Sequence, residues 1–577
     1  MQSRADKAVY IGCPIDSLGF RVYLIDRDQF CERHDFRSNP EEVNMISYDD
    51  FEKLEHQENF DENCPFVGYS DNDVTQQEMD DAVKNECDNM LKMDVYDFIQ
   101  HSEVKKDKLV SSIMFGKRKF NADGTKGKFK IRIVARGDQQ NASTFDDTKA
   151  NTVDKKILFL SLSICITRGW KLAITDIPSA YLHSQIDQEI FMKIDKESVK
   201  YYISMRPALR DLLDANGNLF VRLKKSLYGL KQAGKLWQEE LTRSLVAAGL
   251  KKCISEPCAF YSDHVLVIFH VDDLAIFYKE EEDLSVVVSS IQKFGKIQLD
   301  KGPKYQYLGM NIERIDDYYS VSQVGYVEKL ISKYPDVKAC KYPYNLDIFK
   351  IDSTTNSEKV DKTNYLSLIM SLMYLAKLTR PDILMPCSYL ATFSSDPRQV
   401  HVDNAMKIIG YLKTTKTKSL TVRSSNELLM YCDASFNVHM DSKGHSGMVM
   451  IFGGNILSIS KKQHSVAKSS FESEFICLYN SIPYFLEVIN FLHEVNFEFS
   501  AKIFDDNNAV LTVIKNGSGE NGSSKHLNQK ICYVKNIIDD NNMIIEYKNT
   551  CSMIADILTK PLAGDNFVRL RNLLFNE

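Results

Sequence analysis

Residues 266–278 have the sequence LVIFHVDDLAIFY. Two apolar runs, 266–270 and 274–278, are separated by three residues that include Asp272 and Asp273, which predicts two strands joined by a tight hairpin with acids at its tip. An Asp pair alone makes a good turn, so a purely structural role is one interpretation. The other is a cation site, because carboxylates beside apolar strands are costly unless something pairs with them.

A third carboxylate favours the cation site. Asp176 ends another apolar stretch, residues 172–175, which has the pattern of a strand. Two strand ends can bring Asp176, Asp272 and Asp273 together, as two-metal phosphoryl transfer requires. The pattern therefore predicts a site for divalent cations built by these three acids.

Several blocks of the sequence resemble, in the same order, those of copia-type retrotransposon reverse transcriptases. They are residues 129–137 (FKIRIVARG), 176–182 (DIPSAYL), 223–233 (LKKSLYGLKQA), 271–274 (VDDL), 307–310 (YLGM) and 365–382 (YLSLIMSLMYLAKLTRPD). The resemblance implies a right-hand polymerase of fingers, palm and thumb that copies RNA into DNA. It also implies two Mg²⁺ ions, with Mn²⁺ as the alternative, on Asp176, Asp272 and Asp273.

The resemblance implies roles for residues that would bind the incoming nucleotide. Tyr181 matches the aromatic residue that blocks a ribose 2′-hydroxyl, with an ordinary core tyrosine as the alternative. Gln232 matches a polar residue lining the nucleotide pocket. Lys130, Arg132 and Arg136 lie in the fingers block, where a cation would neutralise triphosphate charge, and which of them does so stays open.

Two further positions belong to the same resemblance. The turn at residues 307–309 matches the one that supports the primer end. His270 departs from the family, which usually has an apolar or aromatic residue there.

A second set of acids follows in the last third of the chain. Asp433 and Asp506 each follow an apolar strand, Glu474 lies on a helical stretch, and Asp556 comes near the end. Each has a plain alternative, Asp506 as a helix N-cap and Glu474 as a surface acid. Together they form a second plausible two-metal site.

The surrounding residues resemble a copia-type RNase H domain. The similar blocks are residues 431–435 (YCDAS), 460–463 (SKKQ), 469–475 (SSFESEF) and 555–562 (ADILTKPL). The resemblance implies a mixed sheet flanked by helices, which cuts RNA in hybrids and binds Mg²⁺ through the four acids.

Three assignments in this region have alternatives. Glu474 is preferred to Glu472 because its apolar followers fit the family pattern, and Asp506 is preferred to Asp505 on spacing, with Asp505 left open. His526 matches a mobile histidine expected to assist product release or proton transfer, with a tethered surface histidine as the alternative.

The composition is that of a folded, multidomain chain. It has 577 residues, with 44% hydrophobic and 26% charged side chains. The net charge of −6 argues against a chain that is basic throughout, but residues 41–90 alone carry −14 and residues 1–40 balance to zero, so the remainder carries +8. Candidate phosphate contacts on that remainder are Lys224, Lys225, Lys231, Lys413, Lys416 and Lys418.

The expected fold class is an α+β and α/β multidomain chain, a right-hand polymerase followed by an RNase H-like mixed-sheet domain. The predicted segments are an integrase C-terminal-like remnant (1–40), an acidic linker (41–90), reverse transcriptase fingers and palm (91–330), thumb and connection (331–425) and RNase H (426–577). The first of these depends on residues 19–28 (GFRVYLIDRD), which resemble the small β-element ending a copia-type integrase. The chain is expected to be the 3′ portion of a polyprotein or a truncated copy.

The expected partners are an RNA template, a DNA or RNA primer, RNA–DNA hybrid, dNTPs and other Gag and Pol products in a virus-like particle. No membrane contact is expected, because the longest apolar run, 157–166, is short and interrupted. The expected location is the cytoplasm, in such a particle, with the nucleus as the alternative.

Two other functions compete with this hypothesis. A catalytically inactive, nucleic-acid-binding remnant of a degenerate element would account for His270 and for Asn528, which replaces a common Asp. A zinc-dependent nuclease would use Cys253, Cys258 and His264, together with His270, but no complete ligand set can be assembled.

Overall fold

The computed structural model describes residues 74–120, 126–351, 357–517 and 525–577, together with three short strands before residue 34. Those strands are β1 (Ala8–Gly12), β2 (Phe20–Leu24) and β3 (Gln29–Arg33). They form an antiparallel sheet in the order β1-β2-β3. Its likeness to the end of an integrase stays a prediction, and residues 41–73 of the predicted linker lie outside the described residues.

The linker prediction is wrong for its last part. Residues Gln76–Lys92 form a helix, α1, capped by Thr75 and Glu78, whose side chains each accept a hydrogen bond from the other's backbone. Its apolar side, which includes Val83 and Met90, is buried, although the acidic composition suggested a solvated segment. The apolar residues recur along one face of the helix, so packing outweighs the charge of the other face.

The chain divides into two compact units that do not follow the predicted linear order. Unit 1 comprises residues 1–151, 177–244 and 291–296, and unit 2 comprises the rest. The division is discontinuous because the strand ending at Asp176 pairs with a strand that comes about a hundred residues later.

Unit 1 contains a five-stranded sheet in the order β4-β9-β8-β5-β6. Its strands are β4 (Tyr96–Ile99), β5 (Leu109–Phe120), β6 (Lys126–Ala135), β8 (Phe191–Lys193) and β9 (Phe220–Leu223). The later helices of this unit are α3 (Lys196–Met205) and α4 (Ala233–Ala247). Strands β5 and β6 pair as an antiparallel hairpin, and β4 is a short strand that directly follows α1.

Unit 2 begins with helix α2 (Lys155–Thr167) and a second five-stranded sheet in the order β10-β11-β12-β13-β7. Its strands are β7 (Lys171–Asp176), β10 (Lys251–Lys252), β11 (Ala259–Tyr261), β12 (Val265–His270) and β13 (Asp273–Tyr278). All neighbours are antiparallel, and helix α5 (Glu281–Ile291) follows. The hairpin predicted at residues 266–278 is confirmed.

A four-stranded antiparallel sheet follows in unit 2. Its strands, in spatial order, are β14 (Lys304–Tyr307), β15 (Met310–Ile315), β16 (Tyr318–Ser322) and β17 (Leu420–Arg423). Between β16 and β17 lie α6 (Val324–Ser332), α7 (Lys362–Leu378), α8 (Leu384–Ala391) and α9 (Gln399–Thr414).

The last sheet of unit 2 is mixed, in the order β20-β19-β18-β21-β22. Its strands are β18 (Glu427–Ser435), β19 (His445–Ile451), β20 (Asn455–Lys462), β21 (Ser500–Asp505) and β22 (Ile544–Tyr547), and its helices are α10 (Ser470–Glu494), α11 (Asn508–Asn516), α12 (Lys525–Asp540) and α13 (Gly564–Phe575). Strands β18, β21 and β22 are parallel, and the other pairs are antiparallel. The predicted fold class is confirmed.

Helix α2 is the centre of unit 2. Its side chains from Lys156 to Cys165 are all buried, and it packs against β13, β16, β17 and β20, which belong to three sheets. A helix enclosed on all sides needs an apolar sequence all round, and α2 has one. The Lys156 ammonium, near its start, forms ion pairs with Asp154 and with Glu487 of α10.

Within the described residues, α10 is long and apolar enough to cross a membrane by length and composition. It packs against β18 and β19, with Phe475, Phe485 and Phe491 fully buried. Burial of this kind is typical of a core helix.

The helices before β17 surround a buried ion pair. Arg380 is 1% exposed and forms two hydrogen bonds to the carboxylate of Asp382, at 3.0 and 2.8 Å. It also donates to the carbonyl and hydroxyl of Thr415, and Tyr411 donates to Asp382. Every polar group of this pair therefore has a partner, as buried charges require.

We predict that Arg380→Met lowers the free energy of unfolding by about 3–5 kcal/mol, because it leaves Asp382 buried and unpaired. Denaturant unfolding measures the change. The double variant Arg380→Met with Asp382→Leu should recover most of it, since both charges are then gone. The control is Lys359→Met, which breaks an exposed ion pair to Asp396 and should cost no more than about 1 kcal/mol. Equal losses for the buried and exposed pairs would contradict the prediction.

Candidate active sites

The first carboxylate cluster is assembled by strand register. In the antiparallel pair β7 and β13, Asp176 lies directly opposite Asp273. Strands β12 and β13 pair up to His270 and Asp273, so only two residues form the turn and one of them is Asp272. One carboxylate oxygen from each of the three acids lies within 4.8 Å of the other two. The structure therefore brings together Asp176, Asp272 and Asp273, with Asp176 exposed and the others half-buried.

The hairpin formed by β14 and β15 contacts the backbone of this cluster. The buried Tyr307 hydroxyl donates to the backbone carbonyl of Asp273 at 3.4 Å, and burial raises the pKa of Tyr307, which keeps the hydroxyl protonated. Tyr307 pairs with Met310, so Leu308 and Gly309 form a two-residue turn. Gly309 has a positive φ, and a Cβ there would lie 2.6 Å from the Tyr374 hydroxyl oxygen, so the turn requires glycine.

The turn that carries Asp272 is strained. Val271 has φ 57°, a left-handed conformation that a β-branched residue rarely adopts. The Val271 side chain is half-buried. The backbone cost of such a residue is about 1–2 kcal/mol, and it persists because the ladder on either side fixes the turn.

The second cluster is assembled by parallel pairing. Strand β18 pairs with β21 so that Tyr431 lies beside Phe504, and Asp433 and Asp506 each follow two residues later. Asp556 lies in a short 3₁₀ turn, Ile554–Leu558. One oxygen from each of Asp433, Asp506 and Asp556 lies within 4.8 Å of the other two.

A further group of three shares one of these acids. Glu474, Asp505 and Asp506 also each offer an oxygen within 4.8 Å of the other two. Glu474 projects from α10, whereas Glu472 accepts a hydrogen bond from the backbone of Lys468 and takes no part. The structure thus gathers all four of the predicted acids, and adds Asp505 to them.

A lysine partly neutralises the second cluster. The ammonium of Lys560 bonds to Asp433 at 3.0 Å and to Asp556 at 2.9 Å, and the Thr559 hydroxyl donates to the other oxygen of Asp433. Asp433 is fully buried, so these contacts offset the cost of its desolvation. Although burial opposes the effect, the two carboxylates raise the pKa of Lys560.

Burial changes the acidity of three carboxyl groups in this cluster. Together with a smaller contribution from neighbouring acids, it raises the pKa of Asp505 to about 7 and raises the pKa of Glu474 and Asp556 as well. One oxygen of Glu474 and one of Asp505 are buried and have no hydrogen-bond partner in the described part of the chain. Two ionised carboxylates 4.8 Å apart repel by about 3 kcal/mol at an effective dielectric constant of ~20.

These features fit a divalent cation. Mg²⁺ and Mn²⁺ prefer carboxylate oxygens, and both clusters offer at least three. The oxygens of Glu474 and Asp505 that have no hydrogen-bond partner among the described residues are available as metal ligands. Cys253 and Cys258 are buried thiols outside every such group in the described part of the chain, so the zinc alternative gains no ligand set.

The predicted nucleotide-binding residues lie in unit 1. Arg132 is exposed on β6 and its guanidinium lies 4.7 Å from the ring centre of Tyr228, which in turn packs edge-to-face against Tyr181. Lys130 is exposed on the same face of β6, and Arg136 forms an ion pair with Asp138. Arg132, Tyr228 and Tyr181 thus form one row of contacts.

Gln232 has an internal role. It is fully buried, and its amide donates to the carbonyl of Thr144 and to Asp187 while it accepts from Gln140. Every strong hydrogen bond available to it is directed into the protein. A side chain enclosed in this way positions its neighbours, and does not line an open pocket as expected.

The lysines predicted to contact phosphate are largely committed to protein partners. Three of them form ion pairs: Lys224 with Asp94 and Asp97, Lys416 with Glu328, and Lys418 with Glu577. Two donate hydrogen bonds to backbone carbonyls, Lys225 to Met93 and Lys413 to three residues. The Lys231 ammonium lies over the ring of Phe145. Each of the six ammonium groups therefore has a contact within the protein, and their role as phosphate contacts stays a prediction.

His526 and His270 lie near the ends of secondary-structure elements. His526 is the second residue of α12, and its side chain lies outside the described part. His270 is half-buried and lies opposite Asp273 at the end of the hairpin.

Sequence reasoning missed Tyr228, Lys560 and the participation of Asp505. Tyr228 and Lys560 both lie inside the similar blocks, at 223–233 and 555–562, but carried no assigned role. Asp505 adjoins an assigned acid, and that adjacency was the available signal.

Comparison with known proteins identifies the chain. Residues 93–344 match the family described as reverse transcriptase (RNA-dependent DNA polymerase). The transposon Ty1-DR1 Gag-Pol polyprotein of Saccharomyces cerevisiae is 26% identical over 525 residues, which cover 85% of this chain and 28% of that protein. Residues 93–344 therefore resemble a reverse transcriptase, and most of the chain is similar to Gag-Pol polyproteins of copia-type retrotransposons. The truncated transposon Ty1-A Gag-Pol polyprotein of the same yeast is also 26% identical, over 85% of this chain and 42% of its own length. The chain thus spans less than half the length of these curated relatives.

Solved structures similar to the copia-type chain include a foamy viral protease-reverse transcriptase in complex with double-stranded DNA. It has a TM-score of 0.46 and 11% identity, and the match covers 84% of this chain and 72% of that one. An RNase H1 isolated from compost has a TM-score of 0.20 and 13% identity, over 23% of this chain and 93% of its own.

We predict that Val271→Asn in the copia-type chain raises the free energy of unfolding by about 1 kcal/mol, because Asn tolerates the left-handed turn. Thermal or denaturant unfolding measures the gain. The matched control is Val246→Asn, at an exposed position on α4, which should change stability by no more than about 0.5 kcal/mol. A loss of stability in Val271→Asn would show that the turn is not strained.

Proposed function

We propose that this copia-type Pol chain is an RNA-directed DNA polymerase that also cleaves the RNA strand of RNA–DNA hybrids. One observation carries the proposal: β7 pairs with β13 so that Asp176 lies opposite Asp273 and close to Asp272, inside the region that matches the reverse transcriptase family. The second carboxylate cluster, in a mixed sheet, supports the cleavage activity.

Divalent cations complete both proposed sites. Two Mg²⁺ ions per site, or Mn²⁺ in their place, would supply positive charge at the attacking and leaving oxygens of phosphoryl transfer. The polymerase ligands would be Asp176, Asp272 and Asp273. The RNase H ligands would be Asp433, Glu474, Asp506 and Asp556. Because these acids already lie close together, the ligands need little rearrangement on binding.

The row of Arg132, Tyr228 and Tyr181 would handle the nucleotide. We assign the exposed Arg132 to the triphosphate, with Lys130 and Arg136 as the other candidates, because Tyr228 holds its guanidinium in place. Tyr181, held in turn by Tyr228, would exclude a ribose 2′-hydroxyl. Gln232 would support this region from within the protein.

The partners in this proposal are an RNA template, a DNA or RNA primer, dNTPs and the hybrid product. The location would be a cytoplasmic virus-like particle with other Gag and Pol products, or the nucleus. His526 would assist RNA cleavage. The competing function is an inactive nucleic-acid-binding remnant, which would bind the same substrates without turnover.

The polymerase site is tested by Asp272→Asn combined with Asp273→Asn. Primer extension on a labelled RNA template with Mg²⁺ should fall by at least about a hundredfold, since removing even the outer-shell partners of a metal costs about 10–100-fold. The matched control is Asp316→Asn with Asp317→Asn, another Asp pair in a two-residue turn, which should leave extension unchanged. Extension that survives the first double substitution would refute the assignment, and a native chain that binds hybrid without extending it would favour the inactive remnant.

The RNase H site is tested separately on the same hybrid. Asp433→Asn should abolish RNA cleavage, because it removes a buried ligand, and should leave primer extension intact. Asp441→Asn, which breaks ion pairs to Lys443 and Lys462 in the same region, is the control and should keep both activities. Cleavage that persists in Asp433→Asn would refute the second site.

A further inference from the structure

The second cluster contains one carboxylate more than the proposed cleavage activity uses. Its two groups of three, Asp433 with Asp506 and Asp556, and Glu474 with Asp505 and Asp506, share Asp506. The proposed RNase H ligands account for every member except Asp505.

Asp505 has a fixed position, but only one of its two carboxylate oxygens has a hydrogen-bond partner among the described residues. It is the last residue of β21 and is fully buried. Its Oδ1 accepts a hydrogen bond from the backbone N–H of Asn507 at 2.8 Å, whereas its Oδ2 is buried and has no hydrogen-bond partner among the described residues. The nearby cation, Lys560, is bonded to Asp433 and Asp556.

A buried structural aspartate normally has both oxygens bonded, because an unmade bond to a charged oxygen is costly. Here Glu474, in the same group of three, also has a buried oxygen that no described residue contacts through a hydrogen bond. Two unused carboxylate oxygens in one group indicate a ligand that is positively charged, compact and oxygen-seeking.

We propose that Asp505 binds a divalent cation together with Glu474 and Asp506, while Asp433, Asp506 and Asp556 serve a second cation. This proposal deepens the proposed RNase H function and rests on it. Asp506 is then the shared ligand, and the buried group gains one negative charge that a four-acid site lacks. The Lys560 ammonium pairs with Asp433 and Asp556 of the other group, and Asp505 has no ion pair among the described residues.

The test uses the full chain carrying Asp272→Asn and Asp273→Asn, which removes the polymerase cluster from the measurement. Mn²⁺ is titrated into this background by isothermal calorimetry and by electron paramagnetic resonance of the free ion. We expect two bound ions in the background. Adding Asp505→Asn should remove one of them or weaken it at least about tenfold, as expected for the loss of a ligand.

A second readout needs no bound metal. In EDTA, Asp505→Asn should unfold at a higher temperature than the background, because a neutral amide replaces an unpaired buried carboxylate and can still accept from Asn507. On addition of Mn²⁺ it should show a smaller rise in unfolding temperature than the background. Asp505→Ser repeats both measurements if the Asn variant does not fold, and Asp441→Asn, which should match the background, is the control.

The outcomes separate this proposal from the proposed function. Unchanged Mn²⁺ stoichiometry and affinity in Asp505→Asn, with binding lost in Asp506→Asn, would overturn the role of Asp505 and leave the RNase H site standing. Unchanged binding in both variants, or no binding in the background, would overturn the cation site itself and the Asp505 proposal with it.

Discussion

Repulsion among carboxylates that the sheets force together is the constraint on which both candidate sites depend. Backbone ladders fix the positions of Asp176, Asp273 and Asp433 whatever their charge, because the hydrogen bonds are made by groups that do not titrate, and Asp506 directly follows the paired strand β21. The acids cannot move apart without breaking those ladders. Their charge has to be met by water, by protons, by a protein cation or by metal.

The two clusters meet this constraint differently. In the first, an exposed Asp176 and half-buried partners leave the charges accessible to solvent, which screens them. In the second, Asp433 and Asp505 are fully buried, and Lys560 compensates only one side. The first cluster is therefore accessible to solvent. In the second cluster the carboxylates are held close together in a buried position, which favours binding of a cation.

Local features of the fold were predictable from the sequence. The hairpin around Asp272 follows from two apolar runs with a short polar break, and its strands pair as expected. Helix α1 was missed because its acidic face dominates the composition, although Val83 and Met90 lie on one buried face. Strand β4, Tyr96–Ile99, could not be assigned from the sequence, because four residues next to a helix end carry too little periodicity to decide between helix and strand.

The contacts that could not be predicted involve residues far apart in the sequence. The neighbours of Lys413 in the sequence do not indicate its hydrogen bonds to the carbonyls of residues 334, 335 and 337, and those of Gln232 do not indicate its hydrogen bond to the Thr144 carbonyl. The choice between Asp505 and Asp506 assumed that only one of two neighbours can face the site. Asp505 ends its strand and Asp506 begins the turn, so both reach it.

Helix α2 carries a consequence for how this chain can be divided. It is enclosed by β13, by the four-stranded sheet and by β20 of the last sheet, and the Lys156 ammonium pairs with Glu487. Cutting the chain near residue 426 would expose apolar surface of α2 to water and leave Asp154 as the one remaining partner of Lys156 among the described residues. The parts of unit 2 before and after residue 426 therefore share a core, and neither can be exchanged independently without redesign of this helix.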